Sequence, residues 1–249
     1  MTMEADSHSI KKQLEILIID YFRSVDKNFP KGKLKTSESP DFLLDTSPKN
    51  KIGIELTRLY FDDFYTGENE LSDDIKKEIV ICARELFELS SSLNLFVKVS
   101  FSKQRKIIQD KQLSLSALVA NAVKKSVKTQ NTGSFFSICQ ISNLPDEIDG
   151  IFMATHPVLT ESVWEVADSP KKNYETILKI RQLIAKKEEK IQLYQKKWLN
   201  QCWLIITADR LNNKQKETFH HLIFNSGNSH QFQKIFLFDL LKAQIIQIL

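Results

Sequence analysis

Two acidic residues raise the question of chemistry first. In ESPDFLLDTSPKNKIGIELTRLY, residues 38–60, Asp41 follows a proline directly and Glu55 comes fourteen residues later inside an apolar run. PDFLLD and KIGIELTRLY are short β-prone runs, and the TSPKN between them is a turn-rich linker of the kind that closes a hairpin. Strand alternation sets Ile52, Ile54 and Leu56 on one face and Gly53, Glu55 and Thr57 on the other. If the two runs pair, Asp41 at the start of the first converges on Glu55. Two carboxylates close together in a partly buried site repel, and one takes up a proton unless a cation lies between them. A divalent metal resolves this, and oxygen donors without sulfur select a hard ion such as Mg²⁺ or Mn²⁺. Such an ion polarises a phosphoryl oxygen and lowers the pKa of a bound water, which is the chemistry of phosphodiester hydrolysis. The same residues admit a plainer reading, in which Asp41 opens a Pro-Asp turn and Glu55 faces solvent on an edge strand.

The elements that must position these residues can be read along the chain. Ile10, Leu14, Leu17, Ile18, Tyr21 and Val25 recur at helical spacing over 8–25 and predict an opening amphipathic helix, which ends before DKNFPKGK. After the expected hairpin, Ser72 predicts an N-cap, with Ile75, Ile79, Cys82, Leu86 and Leu89 along the buried side of the helix that follows. LFVKVSF (95–101) alternates as a strand, and Leu115, Leu118, Ala122 and Val127 follow at roughly helical spacing. FFSICQI, GIFMA and SVWEVAD predict three further strands. Ser169 and Pro170 predict the start of a helix running to about Trp198. CWLIITA reads as a central strand by its unbroken apolar character, and a helix at about 214–225 and the runs KIFLFDLL and QIIQIL complete the chain. Strands mixed with helices predict an α/β fold.

The chain has 249 residues and 42% hydrophobic content, enough for one large domain with its own core. The first nine residues carry no secretory signature, and no apolar run approaches the roughly 20 residues of a membrane span. A soluble, cytoplasmic protein without a membrane partner is therefore expected. Cys82, Cys139 and Cys202 are far apart and predict neither a disulfide framework nor a zinc site. The net charge is +4, but residues 98–128 hold eight Lys or Arg against the single acid Asp110. That asymmetry suits a polyanion at one face, and it equally suits a solvated helix face.

The Pro40-Asp41 pair with Glu55 on the next strand, and the order of elements around them, resembles the PD-(D/E)xK (restriction-endonuclease-like) nuclease superfamily. In that superfamily a Pro-Asp near one strand and an acid-x-Lys on the next bind metal and cleave nucleic acid. The resemblance covers about half the chain and implies a mixed central sheet flanked by helices, a single domain over 1–249, and a helical/β insertion at about 66–150. It implies Asp41, Glu55 and the Leu56 carbonyl as ligands of Mg²⁺ or Mn²⁺, and nucleic acid as substrate, DNA ahead of RNA. This sequence departs from the signature at Thr57, where the family has its lysine, whose work is to stabilise developing charge or position water.

A replacement is visible further along. The stripe Ile177, Ile180, Ile184, Ile191, Tyr194 and Trp198 has Lys187 at the spacing between Ile184 and Ile191. An ammonium in a buried stripe must snorkel or meet carboxylates, and Asp41 and Glu55 are candidates. Some superfamily members supply the lysine from this helix and others carry Gln-x-x-x-Tyr on it, and KKEEKIQLY, with Lys187, Lys190 and Tyr194, resembles those arrangements. Glu15 on the opening helix and Glu38 are weaker acidic candidates. No phosphate-binding glycine loop and no GxSxG elbow occur, and His220, His221 and His230 read as surface or helix-end residues. The expectation is a Mg²⁺-dependent endonuclease whose basic segment 98–128 contacts backbone phosphates. The alternative, which Thr57 favours, is a nuclease-fold module that has lost its chemistry and binds nucleic acid or a protein.

Overall fold

The computed structural model describes residues 9–60, 70–105, 107–130, 133–139, 144–168, 173–194, 198–211 and 231–249. The helix expected at about 214–225, the three clustered histidines and the Ser169-Pro170 cap lie outside the described residues. In chain order the elements are α1 (Ile10–Val25), β1 (Lys33–Thr36), β2 (Phe42–Ser47), β3 (Asn50–Arg58), α2 (Glu70–Glu88), β4 (Phe96–Phe101), α3 (Gln112–Lys128), β5 (Phe135–Cys139), β6 (Ile148–Thr155), β7 (Val163–Val166), α4 (Asn173–Glu188), α5 (Ile191–Tyr194), β8 (Gln201–Ala208), β9 (Lys234–Asp239) and β10 (Gln244–Gln247). The protein is mixed α/β with two mixed sheets. None of its described helices is long and apolar enough to cross a membrane.

The chain divides into two compact units, residues 1–21 with 62–167 and residues 22–61 with 168–249. The stretch expected as an insertion, about 66–150, lies within the first. That unit carries a four-stranded sheet of order β5-β6-β4-β7, antiparallel except for the parallel β4–β7 pair. Val97, Val99 and Phe101 on one face of β4 join a buried cluster with Ile75, Ile79, Ala83 and Phe87 of α2 and Leu115, Val119 and Val123 of α3. Ile75, Ile79 and Leu115 are buried as expected, but Leu86, Leu89 and Leu118 are exposed, and their neighbours Phe87 and Val119 are buried. On the other side Tyr21 stacks on Phe136 and Phe152.

The second unit carries the six-stranded sheet β1-β2-β3-β8-β9-β10. β1, β2 and β3 form an antiparallel meander, β3, β8 and β9 run parallel, and β10 returns antiparallel. The edge strand β1, sequence KLKT, was not apparent from hydropathy. Its lysines suit an edge, where charge discourages further strand pairing, and Lys35 pairs with Asp45 of β2 at 2.6 Å. Ile52 to Leu56 in β3 are buried without interruption, because a central parallel strand is covered on both faces. On one face Phe22 meets Phe236 and Phe238 edge-on, and Phe29 meets Trp203. On the other, Ile177, Ile180 and Ile184 of α4 join Leu204, Ile206 and Leu237 in one core.

The helix expected to run unbroken to Trp198 stops at Glu188. A turn at Glu189 and Lys190 follows, and α5 is a separate four-residue helix. The apolar stripe survives the break, since Ile191 and Tyr194 are buried. Trp198 does not belong to it and lies on the surface.

Candidate functional site

The hairpin register decides whether the two acids meet. Phe42 stands opposite Ile54 in the antiparallel β2–β3 pair. Continuing that register by one residue sets Asp41 opposite Glu55, and directly opposed residues project from the same face of a sheet. Asp41 lies just past the end of the ladder, where its Oδ2 accepts a hydrogen bond from the Leu56 backbone N–H at 2.8 Å. This bond fixes the carboxylate beside the strand segment that carries Glu55. Gly53 keeps the floor of the site low. A Cβ there would come within 2.6 Å of the Leu199 side chain and 2.8 Å of the Pro40 ring, so both can lie flat over the strand beside Asp41.

Glu55 is 4% exposed and both of its carboxylate oxygens are engaged. Lys187 Nζ donates to Oε1 at 2.6 Å and the Tyr194 hydroxyl donates to Oε2 at 2.8 Å. The expected meeting of a helical lysine with the strand carboxylate is therefore present. It arises because α4 buries Ile177, Ile180 and Ile184 against the sheet, which carries Lys187, one turn on, over Glu55. The Lys187 side chain is 17% exposed, so it is largely covered.

The Tyr194 phenol is held well above its ordinary range, first by burial, then by the negative charge and hydrogen bond of Glu55, then by the charge of Asp41. That last influence puts Asp41, Glu55 and Tyr194 in one electrostatic environment. Burial and then Glu55 also push up the Cys202 thiol on the neighbouring strand.

The other sequence candidates are placed differently. Lys190 sits exposed in the turn after α4, with its backbone N–H donating to the Lys187 carbonyl at 3.1 Å. It does not continue the helical face of Lys187, because the helix ends between them. Leu56 contributes its N–H to Asp41, so its peptide borders the site. Glu38 is exposed. Glu15 belongs to the first unit, where it pairs with Lys12 at 3.1 Å.

In the basic segment 98–128, expected to contact backbone phosphates, three cations are paired with acids. Lys98 is 1% exposed in β4 and donates to Glu165 at 2.7 Å, Arg105 pairs with Asp146 at 3.2 Å, and Lys111 bonds Glu147. Acids from outside the segment thus balance three of its cations, a compensation that a local charge count misses.

A hard divalent cation suits this donor set. Asp41 and Glu55 bring carboxylate oxygens from adjacent strands, and the two carboxylates with the Lys187 ammonium carry a formal charge of −1. An ionised carboxyl offers about four lone-pair positions, of which the two hydrogen bonds on Glu55 use half. Among the described residues no group of three or more His, Cys, Asp or Glu gathers, so protein ligation by two carboxylates would leave positions for water or phosphate oxygen. No family model, no curated protein and no solved structure matches the chain.

Proposed function

We propose that this protein is a metal-dependent nuclease of the restriction-endonuclease-like class, hydrolysing phosphodiester bonds of nucleic acid, with DNA ahead of RNA. The observation that carries this reading is the contact of Lys187 with Glu55 on a strand whose hairpin partner brings Asp41 opposite. Lys187 reaches Glu55 from a helix 132 residues further along the chain, and Asp41 is tied to the peptide next to Glu55. The order helix, three-stranded antiparallel meander, helix, parallel strand formed by α1, β1–β3, α4 and β8 supports it too.

In this reading Asp41 and Glu55 hold Mg²⁺ or Mn²⁺ beside the Leu56 peptide. When bound, the ion supplies Lewis acidity toward a phosphoryl oxygen and acidity to a coordinated water. Lys187 takes over the work of the lysine that Thr57 replaces, placing positive charge where the phosphate gains negative charge. Tyr194 is a positioning residue, because its hydroxyl fixes the orientation of the Glu55 carboxylate. Lys190 has no part.

The engagement of both Glu55 oxygens favours a second reading, in which Lys187 and Tyr194 neutralise the acid internally and the fold serves as a binding module. Incubation with labelled DNA and RNA in Mg²⁺, Mn²⁺ or EDTA separates the two. The nuclease gives metal-dependent cleavage that is lost in Asp41→Ala and Glu55→Ala. Absence of cleavage of every substrate in either metal overturns it.

A further inference from the structure

Trp198 is 88% exposed, and its φ is 52°, in the left-handed region that a bulky L-residue adopts rarely. Both features oppose ordinary folding preferences. Burial of an indole is a large source of stability, and a left-handed aromatic is strained, so a chain gains nothing from holding Trp in this way for its own fold. The next residue is well anchored. Leu199 packs over Gly53 with Pro40, and Asn200 is tied to Lys51 through its backbone N–H to the Lys51 carbonyl at 2.9 Å and through its Oδ1 from the Lys51 N–H at 2.8 Å. The indole therefore projects from a fixed stem.

The location gives the exposure a use. Gly53 is two residues before Glu55, and Pro40 directly precedes Asp41, so the Leu199 that follows Trp198 in the chain lies on the wall of the acidic site. Summing strand rise, one side-chain contact and one peptide step, the Trp198 backbone is at most about 18 Å from that of Glu55. This is roughly five nucleotides at stacked spacing. An exposed π-face near a phosphate-directed centre matches how proteins hold unpaired bases, since every base can stack whatever its sequence.

We infer that Trp198 is a base-stacking platform, and that the nucleic acid taken by this site presents at least one unpaired base within about five nucleotides of the scissile bond. The inference deepens the nuclease reading and rests on it for the identity of the ligand. Single-stranded DNA or RNA, or a duplex with a single-stranded overhang, is accordingly the substrate class.

The test measures binding without cleavage. Asp41→Ala protein in EDTA is titrated with a fluorescein-labelled oligo-dT 12-mer and with a blunt duplex, by anisotropy, alongside the same protein carrying Trp198→Ala or Trp198→Phe. Intrinsic fluorescence is followed in parallel with unlabelled oligo-dT. Stacking predicts binding of the oligo-dT with quenching of the Trp198 emission. It predicts about 5- to 150-fold weaker binding for Trp198→Ala, with Trp198→Phe retaining most of the affinity. Blunt duplex affinity is changed less than twofold. Equal affinity of the alanine variant for single strands, an equal loss on blunt duplex, or no binding of oligo-dT overturns the inference. Trp198-dependent binding by a protein that cleaves nothing would leave the platform standing and remove the nuclease reading. Cleavage with Trp198-independent binding would do the reverse.

Discussion

Replacing Lys187 with Met is expected to destabilise the second unit by about 3 kcal/mol, and the size follows from burial. Glu55 is 4% exposed, so losing the ammonium 2.6 Å away leaves a buried carboxylate supported by the Tyr194 hydroxyl. Breaking a buried pair by removing one partner costs roughly 3–5 kcal/mol, and the partial exposure of Lys187 sets the value at the lower end. Glu55→Gln costs less, about 1 kcal/mol, because the amide oxygen still accepts from Tyr194 and the ammonium can turn toward water. The double variant removes both charges and is expected to lose only about 1.5 kcal/mol, so the two sites couple by about 2.5 kcal/mol. Urea denaturation in EDTA, followed by tryptophan fluorescence in a Trp164→Phe background, restricts the signal to the unit that holds Trp198 and Trp203. If the single losses add to within about 0.5 kcal/mol, the two side chains are not coupled and the geometry of the site is wrong.

Tyr194 predicts a pH effect. Its phenol is held above the ordinary value of 10.0 in the folded protein, so above about pH 10 the unfolded chain releases a proton that the native state keeps. Its stabilising contribution is complete below pH 10 and is lost as pH rises beyond it, by up to about 1.4 kcal/mol per pH unit. Tyr194→Phe should remove that part of the alkaline slope relative to wild type, and an unchanged slope would refute the burial of the hydroxyl against Glu55. Gly53→Ala brings a methyl into the Leu199 and Pro40 contacts, at an expected cost of about 1–2 kcal/mol in urea denaturation, with a loss of cleavage because Pro40 carries Asp41. A stable, fully active alanine variant would show that Pro40 does not set the position of Asp41.

What could be read from sequence was what short-range pattern encodes. The Pro-Asp turn, the TSPKN linker and the alternation in IGIEL specify a hairpin and set Glu55 on the face with Gly53. The stripe Ile177, Ile180, Ile184 predicts where Lys187 points, because i+3 and i+4 neighbours share a helix face whatever lies opposite. Features set by distant partners were not legible. β1 carries two lysines and forms because β2 offers it a ladder. The turn at Glu189 and Lys190 has no Gly or Pro to announce it, and it removes Lys190 from the site. In α2 and α3 both Leu86 and Phe87, and both Leu118 and Val119, fit helical spacing, and only the packed core selects Phe87 and Val119. Trp198 looked like the last member of an apolar stripe, and its left-handed backbone has no signature in composition.

In the proposed reaction a lysine delivered by α4 does the work of the lysine that β3 lacks. The most direct test is the single-turnover cleavage rate of Lys187→Met at saturating Mg²⁺, at a temperature where the variant is folded, with substrate affinity measured in parallel. The expected rate is about 10²- to 10³-fold below wild type, with substrate affinity within about threefold. A Lys187→Met protein that cleaves at the wild-type rate would contradict it.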